Sequence, residues 1–118
     1  MDAAKAHRFR LGRSFSLGRN KHFQYVYRRG KSFPARLMVL VYLKARDVKV
    51  GFSVSSKVGN SVVRNRVRRL MREDFRLQRP SLPGGKYIVG ARTIAARASH
   101  QELTREMAYL LRKAGLTQ

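Results

Sequence analysis

Apolar side chains recur along this chain with two different periods, and the changes of period divide it into elements. Phe23, Val26 and Tyr27 recur at three- and four-residue steps and predict a first helix from about Asn20, a good N-cap, to Arg29. Gly30 stands in the stop position. Residues 37–43 (LMVLVYL) are an unbroken apolar run of strand length, and residues 48–55 (VKVGFSVS) alternate as a half-buried strand does. Pro34 cannot donate to a central ladder, so KSFPAR before them is predicted as an edge segment or a loop. The KARD link between the two strands lacks glycine but has a length that suits a hairpin.

Helical period returns at residues 57–76, KVGNSVVRNRVRRLMREDFR. Val63, Val67, Leu70, Met71 and Phe75 fall on one side of that helix, with Asn60 or Ser61 as its cap and an end before Pro80. SLPGG is a loop, and residues 86–92 (KYIVGAR) are a short final strand. Ser99 and Glu102 are spaced as a capping box for a last helix. Leu103, Met107, Leu110 and Leu111 form its inner face and Gly115 its stop. The order is helix, two or three strands, helix, strand, helix, which predicts an α+β sandwich with one sheet covered by helices. The strand–helix–strand unit of residues 50–92 fits a parallel crossover, right-handed by the general rule. Residues 17–118 are expected to form one domain, behind a flexible basic arm at 1–16.

Charge changes this picture most on the middle helix. Arg64, Asn65, Arg68, Arg69, Arg72 and Arg76 cover the side opposite the apolar stripe, and only Glu73 and Asp74 oppose them. Solvated helices normally intersperse acids with bases, so a guanidinium row of this density calls for a polyanion, and the planar donor fork of arginine suits phosphate. The whole chain repeats the theme: 118 residues carry 27 Lys+Arg against six acids, a formal charge of +21. A folded domain this basic takes nucleic acid as its default partner. With 43% hydrophobic residues it is not a disordered basic tail. No apolar run approaches 18 residues and no helix sets a broad aromatic-rich face against lysines, which argues against a membrane partner, and the N-terminus lacks the apolar core of a secretory signal. The absence of cysteine removes thiolate metal sites and fits the cytoplasm.

The remaining chemistry points the same way. His7, His22 and His100 are scattered, and Glu73 and Asp74 diverge by about 100° on a helix, so no metal site or autonomous nuclease centre is predicted. Phe23 and Tyr27, one turn apart, suit either a core or a platform for stacked bases. Ser53 and Ser55 put hydroxyls where a buried strand would carry Val or Ile, which favours the platform. Asn65 is either a weak helix residue on a solvated face or a donor to phosphate or a base edge. Gly59 permits a turn or a close backbone approach before the helix. On composition alone, an RNA-binding subunit of a ribonucleoprotein enzyme and a ribosomal-protein-like structural RNA binder stand level. A DNA regulator is disfavoured, for the helix shows no base-reading set and no dimer seam.

VGFSVSSKVGNSVVRNRVRRLMRE resembles the signature of the bacterial ribonuclease P protein subunit, in which a strand, a basic residue and Gly-Asn lead into a helix bearing R-N-R. NKHFQYVYRRGKSF, KYIVGAR and SHQELTREMAYLLRKAG resemble that family's first helix, last strand and final helix, so the likeness covers roughly residues 10–115. It implies a four-stranded, mostly antiparallel sheet with about three helices in the order α-β-β-β-α-β-α, and a left-handed crossover in place of the right-handed default. It also implies an activity: removal of the 5′ leader of precursor tRNA by a catalytic RNA with Mg2+, the protein alone being inactive and holding no metal. By the same resemblance Arg64, Asn65, Arg66, Arg68, Arg69 and Arg72 contact the catalytic RNA, while Phe23, Tyr27, Ser53, Ser55 and Lys57 line the leader cleft. The implied partners are that RNA and precursor tRNA, with neither membrane nor DNA. Three positions depart from the pattern: Ser56 replaces a second basic residue, Val41 replaces an aromatic of some members, and Tyr27 replaces a common Phe.

Overall fold

The computed structural model describes residues 20–117. The arm at 1–16 and the capping side chain of Asn20 lie outside the described residues. Helix α1 (Asn20–Arg29) is followed by β1 (Lys31–Pro34), β2 (Met38–Lys44), β3 (Val48–Ser53), α2 (Ser61–Gln78), β4 (Gly85–Ala91) and α3 (His100–Lys113). Short 3-10 turns at Arg79–Ser81 and Thr93–Arg97 lead out of α2 and into α3. The strands form one sheet in the order β1-β2-β4-β3.

That order corrects one expectation. β4 pairs antiparallel with β2 and parallel with β3, so β2 and β3 are not neighbours and the KARD link is not a hairpin turn. Link length cannot report what a third strand does. Tyr87, Ile88 and Val89 of β4 are all fully buried, and a strand apolar on both faces belongs in the centre of a sheet. β3 carries Lys49, Gly51 and Ser53 on one face and takes the edge. The tight hairpin joins β1 to β2, with Phe33 opposite Leu40 and the Ala35 amide donating to the Met38 carbonyl at 2.9 Å. Pro34 thus sits on an edge strand, where its missing N–H does no harm. The β3–α2–β4 connection joins parallel neighbours, the crossover implied by the family resemblance.

Each face of the sheet has its own core. On one face, Met38, Leu40, Val50, Tyr87 and Val89 pack under Val67, Met71 and Phe75 of α2 and Leu103, Met107, Leu110 and Leu111 of α3. Aromatic edges bind this layer: Tyr87 stands 5.3 Å from Phe75 and 5.0 Å from Tyr42, centroid to centroid. Both tyrosine hydroxyls are satisfied by the loop before β4, Tyr87 donating to the Pro83 carbonyl and Tyr42 to that of Gly84. The other face is smaller, with Val41 and Ile88 beneath Val26 of α1.

Local signals end the helices as the sequence indicates. The Asn60 side chain accepts the Val63 amide at 3.0 Å, and Ser99 and Glu102 close a reciprocal capping box. Gly115 follows α3 with φ +77°, a conformation that glycine adopts without steric cost. Among the described residues no helix is long and apolar enough to cross a membrane.

Candidate nucleic-acid interface

Burial of Val67, Met71 and Phe75 fixes how α2 is rotated, and the arginines follow from that rotation. Asn65, Arg66, Arg69 and Arg72 are exposed, while Arg64 and Arg68 are half-buried along the flank. Several are oriented by the protein itself. The Arg64 Nε donates to the Gly59 carbonyl at 3.1 Å, Arg66 reaches the Ala98 carbonyl at 3.3 Å, and Arg68 donates to the Asn65 side-chain oxygen at 3.1 Å. A held guanidinium loses less freedom on meeting a phosphate than a loose one. Gly59 is the close approach that its position suggests, for a Cβ there would stand 2.9 Å from the Val63 side chain.

Two residues of this helix differ from their sequence reading. Arg76 does not belong to the uncompensated row, because its Nε donates to Glu73 Oε2 at 3.0 Å. The same hydrogen bond, more than the attraction of the two charges, holds the Glu73 carboxyl below its ordinary range. Asp74 is buried, 3% exposed, on the inner side of α2. It accepts from the Thr104 hydroxyl at 2.8 Å and lies 3.2 Å from the His100 ring nitrogen, tying α2 to α3. Burial pushes its carboxyl up, and the Thr104 hydrogen bond opposes that shift. The signal was legible: Asp74 follows Met71 by three residues and Val67 by seven, which places it on the apolar side.

The second surface lies on the opposite face of the sheet, beside α1. Register partners across the strands form rows, and the row Val41–Ile88–Gly51 lies under the helix. Phe23 lands on Gly51: a Cβ there would stand only 2.7 Å from the ring atom Cε1. The ring is half-buried, so it is partly core as well as partly surface. Val41 is buried in the same row, packed with Val26 and Ile88.

One row further along the strands come Val39, Gly90 and Ser53. The nearest atoms to a Cβ at Gly90 would be 3.9–4.0 Å away, so bare backbone forms an open floor there. Tyr27 is 49% exposed on the helix flank one turn after Phe23. Ser55 and Lys57 are exposed beyond the end of β3, in the turn closed by the Val58 amide on the Ser55 carbonyl. The structure therefore gathers Phe23 and Ser53 on the sheet face beneath and beside α1, and puts Ser55 and Lys57 on the strand exit that leads into the arginine helix.

Comparison with known proteins places the chain among relatives of one family. The family model described as Ribonuclease P matches residues 11–115. The chain is 38% identical over 110 residues to the ribonuclease P protein component of an Exiguobacterium species, covering 92% of this chain and 96% of that one. It is 43% identical over 112 residues to the Clostridium beijerinckii component, covering 86% of this chain and 90% of the relative. Among solved structures, the Staphylococcus aureus RNase P protein superposes with a TM-score of 0.83 at 27% identity, over 88% of this chain and 98% of that one. The Thermotoga maritima RNase P protein gives 0.72 at 25% identity, over 88% and 96%.

Proposed function

This chain belongs to the ribonuclease P protein family, and from that premise we propose how its two surfaces divide the work of removing the 5′ leader of tRNA. As the protein component of ribonuclease P it takes part in endonucleolytic tRNA processing. Arg64, Asn65, Arg66, Arg68, Arg69 and Arg72 bind the catalytic RNA subunit through its phosphates. Phe23 and Tyr27 stack leader bases, while Ser53 and Ser55 donate to the strand and Lys57 tracks its backbone. The observation that carries this reading is the placement of the two surfaces on opposite faces of one sheet, α2 on one and α1 on the other. A single rigid domain so built can grip two RNA segments and fix their separation, which lowers the entropic cost of bringing substrate to the catalytic RNA.

The hydrolysis is assigned to the RNA subunit, with Mg2+ held mainly by its phosphates and those of the substrate. The four carboxylates of α2 and α3 are engaged within the fold: Glu73 by Arg76, Asp74 by Thr104 and His100, Glu102 by the cap of α3, Glu106 by the Leu37 amide at 2.8 Å. Among the described residues no group of three acids, histidines or cysteines is placed to hold a metal ion. The cytoplasm, where tRNA is made in bacteria, is the compartment this role requires. The test is reconstitution. Added to a bacterial ribonuclease P RNA at low Mg2+, the protein should restore precursor-tRNA cleavage. Binding to that RNA without any effect on cleavage would instead support a purely structural role.

A further inference from the structure

A groove of about 300 Å3 opens between the β1–β2 hairpin and α3, outside both surfaces described above, and is lined by Arg36, Leu37, Glu102, Arg105, Glu106 and Tyr109. Glu102, Glu106 and Tyr109 follow one another at four- and three-residue steps, so the helix sets them on one side. Glu106 is fixed from outside the helix, its Oε2 accepting the Leu37 amide at 2.8 Å. A carboxylate has lone pairs for about four hydrogen bonds, so this anchor orients the group and leaves capacity for a ligand. Glu102 is more fully committed: Oε1 accepts the Ser99 amide in the cap, and Oε2 lies 3.9 Å from Arg36 Nη2. The Arg36 side chain is 73% exposed, and so long a pair holds it weakly, which leaves its guanidinium able to turn to an anion. Tyr109 is 44% exposed, with Lys113 Nζ 5.8 Å from its ring centroid. Long side chains on a helix lean toward its N-terminus, so this ring lies over the turn that carries Arg105 and Glu106.

These groups together exclude the simpler ligands. The two guanidiniums disfavour a metal ion or an ammonium group beside the carboxylates, and the carboxylates disfavour a bare anion. A ligand that suits the whole set offers neutral N–H donors to Glu106, a flat ring to Tyr109 and an anion to Arg36 and Arg105. Among the four bases, guanine alone presents two adjacent donors, ring N1–H and amino N2–H, on its pairing edge. Uracil sets its one donor between two carbonyls that a carboxylate repels, and adenine and cytosine set one amino group beside a ring-nitrogen acceptor. We propose that the groove binds a guanine nucleotide: Glu106 accepts from N1–H and N2–H, Tyr109 stacks on the base, and Arg36 and Arg105 meet the phosphate. Its volume is at the small end of ligand sites and suits one nucleotide rather than a length of strand. The same chemistry serves a free nucleotide and an unpaired guanosine of an RNA, and it does not rest on the reading of the α1 and α2 surfaces.

The test titrates the protein with guanosine monophosphate and, separately, with the adenosine, cytidine and uridine monophosphates, following the Leu37 amide by heteronuclear NMR. The guanine nucleotide should bind about tenfold more tightly than the others and shift that signal. Glu106→Gln keeps an oxygen for the Leu37 amide, so it should melt like the parent and lose the preference for guanine. Tyr109→Ala removes an exposed ring, so it should also melt like the parent and bind all four nucleotides more weakly; it decides the matter should the first variant fold poorly. Kethoxal, which modifies N1 and N2 of unpaired guanine, separates the two sources in the reconstituted holoenzyme. A guanine protected by the parent protein but by neither variant assigns the groove to RNA, and a guanine preference in the free protein without such protection assigns it to the free nucleotide. Equal affinity for the four nucleotides with no such protected guanine would overturn the proposal, and so would a guanine preference that survives both substitutions.

Discussion

Gly51→Ala is the most incisive change available to the leader-binding surface, because one methyl group acts on the seat of Phe23. The new Cβ would stand 2.7 Å from Cε1 and 2.9 Å from Cε2 of that ring, closer than real carbons approach. Either the ring rotates or α1 lifts, and overpacking of this kind costs about 1–3 kcal/mol. In a chain of 118 residues that lowers the melting temperature by roughly 4–12 °C. If Phe23 also stacks a leader base, displacing it forfeits about 1–3 kcal/mol of binding, a loss of roughly 5- to 150-fold in affinity for precursor tRNA. Affinity for mature tRNA and for the catalytic RNA should not move. Phe23→Ala alone should cost less than the 3–5 kcal/mol of a fully buried ring, because the ring is partly exposed. In the double variant the alanine methyl occupies space the ring has vacated, so its stability should exceed the sum of the single losses by about 0.5–3 kcal/mol, while the leader affinity stays lost. The assay is thermal melting with both tRNA affinities across the four-member cycle. A Gly51→Ala protein that melts and binds like the parent would refute the seating of Phe23. Parallel losses on precursor and mature tRNA would confine Phe23 to the core.

The other faces of the molecule give simpler expectations. Arg69→Ala should reduce the log–log salt slope of catalytic-RNA binding by about 0.7–0.9 with stability within about 0.5 kcal/mol of the parent; Arg76→Ala should change the slope far less, since Glu73 already neutralises it. Val67→Asp should destabilise the domain by about 3–5 kcal/mol of a total near 5–15, the cost of an unpartnered buried charge, and chemical denaturation reads it directly. Asp74 has a folded-state pKa raised chiefly by burial, so its contribution is fully present below the ordinary aspartate value and lost as pH rises through the folded one. Asp74→Asn should therefore melt at or above the parent at neutral pH and lose less stability than the parent between mildly acidic and neutral conditions; a variant markedly less stable at every pH would show the charge to be needed. Protein stripped of all RNA should leave precursor tRNA uncut in Mg2+, and cleavage by it would place a catalytic centre in the chain.

The three α-helices of the described residues, and the buried sides of α2 and α3, could be read from the sequence. The steps Val67–Met71–Phe75 and Leu103–Met107–Leu110–Leu111 fix those faces locally, because a helix repeats every 3.6 residues whatever surrounds it. The caps at Asn60 and Ser99 are local for the same reason, and so is the identity of the outward arginines. The order of the strands was not local. β4 displaces the expected β2–β3 hairpin because Tyr87, Ile88 and Val89 are the residues most in need of cover on both faces, a comparison among strands that no single segment contains. Whether Phe23 is core or surface depended likewise on Gly51, 28 positions away, and the answer is that it is both. The hydrogen bond of the Leu37 amide to Glu106, 69 positions away, exists only once α3 lies against the β1–β2 hairpin. Periodicity settles which side of an element faces inward, and only the packed chain decides which elements meet.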